Sequence, residues 1–192
     1  MAATPFIQHL TPVKHAEAQG AQKNILDIAL KQVGFIPNMY ANMANAPGLL
    51  STYLHGYALF RGEAGLTPAE QEVVFLAISQ VNDCHYCSAA HAMIADKMSG
   101  VPREVLRAIR SNTSIPVAKL SALYNLAADL TVRRGKPTPS TLKAFFDAGY
   151  QERDVLYVIL AISVKVLSNY SNHAFGTQVD DMFSAYKVGA QL

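Results

Sequence analysis

The thirty residues from Leu66 to Ala95, LTPAEQEVVFLAISQVNDCHYCSAAHAMIA, decide the fold. Thr67 can cap a helix, Pro68 fits its first turn because no partner is needed there for an N–H, and Glu70 completes a capping box. The helix so opened should run to about Val81, where Asn82-Asp83 breaks it. Asp83 is then placed to cap a second helix, from Cys84 to about Met98, that ends near Gly100. The flanking sequence reads in the same style. Gln22 to Val33 carries Ile25, Leu26, Ile28, Ala29 and Leu30 on one broad stripe and stops at Gly34. Leu49 to Phe60 follows a Pro47-Gly48 break. Pro102, Pro116 and Pro139 each stand where a new helix would begin, and Gly149 closes the last of these. No Val/Ile/Thr-rich alternation bounded by hairpin turns occurs, so the expected fold is all-α.

Composition narrows the function classes. With 192 residues, 51% of them hydrophobic, the chain can bury a core and is expected to form one domain over 1–192. The net charge of +2 gives no field that would steer it to nucleic acid or an anionic membrane. The charged fraction, 16%, lies below the roughly 25% usual for globular chains, which points to surface buried in a homo-oligomer. Met1 to Gly20 lacks the apolar core of a signal peptide. The longest apolar run, Val155 to Leu167, is too short to span a bilayer and is interrupted by Lys165. No membrane partner is therefore expected, and the expected location is the cytoplasm.

Sliding the chain over itself by 84 residues reveals a degenerate internal repeat. Ala64-Gly65 falls on Ala148-Gly149, Leu76-Ala77-Ile78-Ser79 on Leu160-Ala161-Ile162-Ser163, and Tyr86 on Tyr170. Cys84 then lies over Ser168 and Cys87 over Ser171. The expectation is two related halves, about 1–111 with the cysteines and about 112–192 as a serine-substituted copy.

Cys84 and Cys87 are the only two cysteines in the chain. A disulfide across two intervening residues closes almost no loop and so cannot be a staple, which leaves redox chemistry or metal binding. His91 follows, and Cys84, Cys87 and His91 share one helix face. The thiols stand in the first turn, where free N–H groups and the positive end of the helix dipole favour a thiolate. Glu72 lies ten residues before Asn82 and His91 nine after it. In a helical hairpin the two sit about 15 and 13.5 Å from the turn, nearly level, so Glu72 can contact His91. His91 in turn reaches back toward Cys87. Carboxylate, imidazole and thiol then form an orienter, base and nucleophile series. Glu70, the rival carboxylate, is committed to capping.

Glu72 twelve positions ahead of Cys84, followed by Cys-x-x-Cys-x-x-x-His, resembles the signature of the AhpD-like alkylhydroperoxidases of the carboxymuconolactone decarboxylase superfamily. The resemblance covers about Leu66 to Ala95. Gly34-Phe35-Ile36-Pro37-Asn38 and Asn172-His173 are similar to its two-halved, peroxidase-related members. It implies an AhpD-like helical bundle that assembles as a trimer or hexamer. It also implies a thiol-dependent peroxidase in which Cys84 and Cys87 cycle between dithiol and disulfide, with Glu72 and His91 as a proton relay. The substrate implied is an organic hydroperoxide. No bound cofactor is implied, and the reductant would be an external dithiol of thioredoxin-like or lipoyl type. The family's best-studied members carry a histidine directly before the second cysteine. Here that place holds Tyr86, with His85 one position earlier.

Other readings stand beside this one. Cys84, Cys87, His91 and Glu72 could ligate zinc in a metal-binding or thiol-sensing protein, although a structural zinc site usually draws on separated segments. A lactone decarboxylase, also found in the superfamily, gives no reason for paired thiols. His85, Tyr86 and His55 are further pocket candidates, while His55 and Tyr86 more often serve packing and His173 a structural or subunit contact. Arg133-Arg134 reads as solvated, and Met39, Met43, Met93 and Met98 as core or oligomer contacts. No glycine-rich loop follows a strand, so nucleotide binding has no support.

Overall fold

A computed structural model describes residues 4–190, so positions 1–3 and 191–192 of the expected 1–192 domain lie outside the described residues. Among the described residues nine α-helices follow in order: α1 (Gly20–Val33), α2 (Asn38–Met43), α3 (Pro47–Glu63), α4 (Pro68–Val81), α5 (His85–Lys97), α6 (Arg103–Arg110), α7 (Ala118–Val132), α8 (Pro139–Asp147) and α9 (Glu152–Phe175). A 3₁₀ helix, Asp181–Tyr186, follows α9. No strand forms among the described residues, and the fold is all-α.

The helix signals act as their chemistry requires. Thr67 and Glu70 form a capping box at α4, with the Glu70 carboxylate accepting from the Thr67 N–H at 2.8 Å. Glu70 also receives the Tyr150 hydroxyl at 2.9 Å and pairs with Lys119, so it faces away from the cysteines. Gly34 ends α1 in the left-handed conformation, φ 85°. Two boundaries differ from expectation. Pro47 is not a break but lies in the first turn of α3, where its fixed φ suits a helix start. Asp83 does not cap α5, because it takes the left-handed conformation (φ 52°) needed to reverse the chain. Cys84 becomes the cap residue, its N–H bonded to the Ser79 carbonyl at 2.8 Å and its own carbonyl accepting from Ser88.

α4 is buried along most of its length, packed between α5, α7 and α9. One apolar cluster gathers Leu26, Met43, Leu50, Leu76 and Leu106 around the cysteines, and a second gathers Phe60, Phe75, Leu123, Phe145 and Val158. Gly56 of α3 lets α9 approach closely, since a Cβ there would stand 2.8 Å from Val164 Cγ2. The apolar run Val155–Leu167 belongs to α9, which at 24 residues is long and apolar enough, by length and composition, to cross a membrane. The sequence run alone understated it, because the helix continues through polar residues to Phe175. In the fold α9 packs on α2, α3, α4, α5 and α7, and its Lys165, Ser168, Asn169 and Asn172 are buried.

The 84-residue offset has a backbone counterpart at one point. Gly65 and Gly149 both adopt positive φ, and Asp154 bonds the Gln151 N–H at 2.8 Å as Glu70 bonds that of Thr67. Beyond this the halves part: α4 turns back at Asn82-Asp83, whereas α9 runs straight through the matching positions.

Candidate active site

The α4–α5 hairpin brings Glu72 and His91 together at the equal heights that the chain lengths dictate. His91 Nδ1 lies 2.8 Å from Glu72 Oε2, both side chains being buried. The other Glu72 oxygen receives Arg61 of α3, which also donates to Tyr57 Oη at 2.6 Å and to Gln71 at 3.0 Å. Burial would raise the Glu72 carboxyl, but His91 and Arg61 outweigh it and hold the group below the usual carboxylate range. An ionised carboxylate only accepts, so Nδ1 carries the imidazole proton and Nε2 keeps its lone pair. Burial and the Lys165 charge push the His91 pKa down against the pull of Glu72, which leaves a neutral ring. That ring packs 4.8 Å from Phe75. Among the described residues no hydrogen bond joins His91 to either thiol, so the expected reach from His91 to Cys87 is not a direct bond. Nδ1 is held by Glu72 and the ring plane is set by Phe75.

The two cysteines are free and buried, and they approach to 3.5 Å. They differ sharply in acidity. A hydrogen bond from the Cys87 side chain, aided by the Lys165 charge, the Cys87 backbone N–H and Asn172, outweighs burial and draws Cys84 down to about 6. Burial, with the bond to Cys84 and its charge, pushes Cys87 well up. Cys84, at the helix tip, is therefore the more acidic thiol of the pair, and the Cys87 thiol has Ser168 Oγ as its acceptor at 3.8 Å. The helix N-terminus favours the same assignment.

The opposite wall comes from α9. Asn172 Nδ2 donates to Cys87 Sγ at 3.3 Å, to Cys84 Sγ at 3.7 Å and to Met39 Sδ at 3.2 Å. Ser168 Oγ lies 3.8 Å from Cys87 Sγ. One turn earlier Lys165 is fully buried, its Nζ over the Phe75 ring at 5.5 Å. A cleft of about 360 Å³ opens beside Cys84, bounded by Tyr86, Asn172, His173 and Gln178. A larger cavity, about 770 Å³, lies by His85, Arg107 and Arg110 and includes neither cysteine. Of these two spaces, the smaller is the one that meets a cysteine.

Of the other sequence candidates, Tyr86 lines the cleft and its hydroxyl bonds Asp180, which ties the C-terminal segment over α5. His85 is exposed at the rim beside Asp83. His55 is exposed on α3 and lines neither cavity. Among the described residues, no three His, Cys, Asp or Glu side chains converge as a metal site. Glu72, one ligand of the zinc alternative, is engaged by His91 and Arg61. Arg61, Asn172 and Lys165 were not among the sequence candidates. Lys165 left a signal as a cation inside an apolar run, and Asn172 as part of the Asn172-His173 pair that resembles the peroxidase-related members.

Residues 49–129 match the family model of the Carboxymuconolactone decarboxylase family. The chain is also similar to the solved structure of a peroxidase-related protein with an alkylhydroperoxidase AhpD core from Ralstonia eutropha JMP134. Identity there is 22% and the TM-score 0.77, over 98% of this chain and 100% of the other. A variant of the debrominase Bmp8 in complex with 2,3,4-tribromopyrrole is 14% identical, with a TM-score of 0.76 over 95% of this chain and 97% of the other. A peroxidase-related protein from Silicibacter sp. TM1040 is 19% identical, with a TM-score of 0.69 over 95% and 94%. No curated protein matches the chain. In fold, then, this is an AhpD-like helical protein. The family match covers residues 49–129, which include the α4–α5 hairpin, and the likeness to the solved structures is one of fold.

Proposed function

We propose that the protein is a thiol-dependent peroxidase that reduces organic hydroperoxides through Cys84 and Cys87. The observation that carries this reading is the pair itself, Cys84 lining the cleft with the Cys87 sulfur 3.5 Å away, and the lowered Cys84 pKa supports it. The Cys84 thiolate attacks the terminal peroxide oxygen, the O–O bond breaks, and the alkoxide takes a proton from water to leave as an alcohol. His91 accepts the Cys87 proton through Nε2, by way of water. The Cys87 thiolate then attacks the sulfenic sulfur, forming the disulfide and expelling hydroxide, which recovers the proton from His91 as water. Glu72 and Arg61 act as positioning residues that fix the His91 tautomer. An external dithiol, of thioredoxin-like or lipoyl type, restores the pair and no bound cofactor takes part.

The same reading makes the protein a cytoplasmic homo-oligomer, trimer or hexamer, built from two related halves. Leu156, Ile159 and Tyr170 form an exposed face of α9 available for assembly. The debrominase among the structural neighbours supports a second substrate class, because a dithiol can reduce a carbon–bromine bond with the same two electrons. The test is consumption of cumene hydroperoxide and of a brominated pyrrole with dithiothreitol, comparing wild type with Cys84→Ser and Cys87→Ser. Peroxide turnover lost in both variants supports the peroxidase. Turnover of the bromopyrrole alone replaces it with dehalogenation, and unchanged peroxide turnover in both variants ends the thiol reading.

A further inference from the structure

Every buried side-chain nitrogen or oxygen without a hydrogen-bond partner among the described residues lies on α9: Lys165 Nζ, Asn169 Nδ2, Asn172 Oδ1 and His173 Nε2. Lys165 is the costliest of these. It has no accessible surface, and no carboxylate lies within 4 Å of its ammonium among the described residues. An isolated buried ammonium costs several kcal/mol unless an anion answers it.

The surrounding groups leave one candidate for that anion. From α2 and α3, Tyr40, Tyr53 and Tyr57 face the dithiol, and burial holds all three phenols neutral. Arg61 of α3 is answered by Glu72 of α4. His91 of α5 is neutral and Cys87 stays protonated. The titratable groups of α7 are engaged elsewhere, Lys119 with Glu70, Tyr124 with Gln80, and Asp129 with Arg133 and Thr138. Lys165 stands one turn from Ser168 and two turns from Asn172, the α9 residues that touch the sulfurs.

We propose that Lys165 is the counter-ion of the Cys84 thiolate, a positioning residue supplied by the half of the chain that lacks cysteines. Two cations, half-buried Arg61 and buried Lys165, then balance two buried anions, Glu72 and the Cys84 sulfur. Oxidation to the disulfide removes the sulfur charge and leaves the ammonium unanswered, so Lys165 favours the reduced state and makes the disulfide easier to reduce. The proposal rests on Cys84 being the thiolate and does not depend on the substrate being a peroxide.

The test is the pH dependence of iodoacetamide alkylation of Cys84 in the full chain, in wild type, Lys165→Met and Lys165→Arg, each checked for folding by thermal melting. Methionine keeps the volume and removes the charge, so its midpoint moves up and the rate at pH 7 falls about tenfold. Arginine restores much of the rate. The Lys165→Met disulfide also becomes harder to reduce in a glutathione redox buffer. An unchanged midpoint in a folded Lys165→Met protein overturns the proposal. Should that variant not fold, the wild-type Lys165 ¹³Cε resonance decides, because its chemical shift must move as Cys84 ionises; a resonance indifferent to Cys84 overturns the proposal. Normal alkylation midpoints with no peroxide turnover would instead defeat the peroxidase reading alone.

Discussion

The α4–α5 hairpin and α9 form the two walls of one site, and they are finished to different degrees. On the hairpin side Tyr57, Arg61, Glu72 and His91 are linked in series, with both Glu72 oxygens occupied. On the α9 side four buried polar atoms have no partner among the described residues. A saturated chain of hydrogen bonds holds one geometry, while open donors and a lone ammonium wait for charge to change in front of them. The hairpin thus fixes the base, and α9 answers the sulfur as it passes between thiolate and oxidised forms.

The largest effect should come from the atom between the two walls. Cys84→Ser should lower peroxide consumption roughly thousand-fold, measured with excess dithiol. Wild-type turnover should rise with pH about a midpoint near 6, as the Cys84 thiolate forms. Turnover that climbs only about the ordinary thiol value of about 8.5 would show that α9 does not answer the sulfur.

Glu72→Gln tests the saturated wall. It leaves Arg61 without its partner and should cost about 3 kcal/mol of stability by urea melting. The pH dependence has a definite sign. A carboxyl held below its ordinary range contributes stability that is fully present above about pH 4.3 and is lost as pH falls through the lower folded value. Wild type should therefore lose stability on that acid limb, and Glu72→Gln should lose less. A smaller change is expected from Gly56→Ala, whose methyl group meets Val164 and must displace α9. About 2 kcal/mol should be lost, with the hairpin undisturbed. Its Cys84 midpoint should move up if α9 sets it. The smallest effect belongs to one of the two matched helix starts. Asp154→Asn, with only the Gln151 cap bond to lose, should cost about 0.5 kcal/mol, whereas Glu70→Gln, with Thr67, Tyr150 and Lys119 as partners, should cost about 2 kcal/mol.

The hairpin was legible in the sequence because each of its signals is local. Thr67, Pro68 and Glu70 open α4 within four residues, and the lengths of the two arms set Glu72 opposite His91 without knowledge of the rest of the fold. Asp83 misled because capping preference and left-handed preference favour the same residue type, and the need to reverse the chain won. The α2 helix, Asn38–Met43, is short and carries no side-chain cap to mark it. Arg61 and Asn172 reach the site only through packing of α3 and α9 on the hairpin, a contact that no spacing along the chain encodes. Lys165 was visible only as a break in an apolar run. Its position facing the sulfurs required the fold.

The central claim is that Cys84 and Cys87 act as a two-electron pair. Its most direct test is a single turnover of the fully reduced protein with one equivalent of organic hydroperoxide, without added reductant. The account predicts one alcohol formed per chain, free thiols falling from two to none, and a Cys84–Cys87 disulfide recovered by mass spectrometry. Peroxide left unreduced, or alcohol formed while both thiols persist, would contradict it.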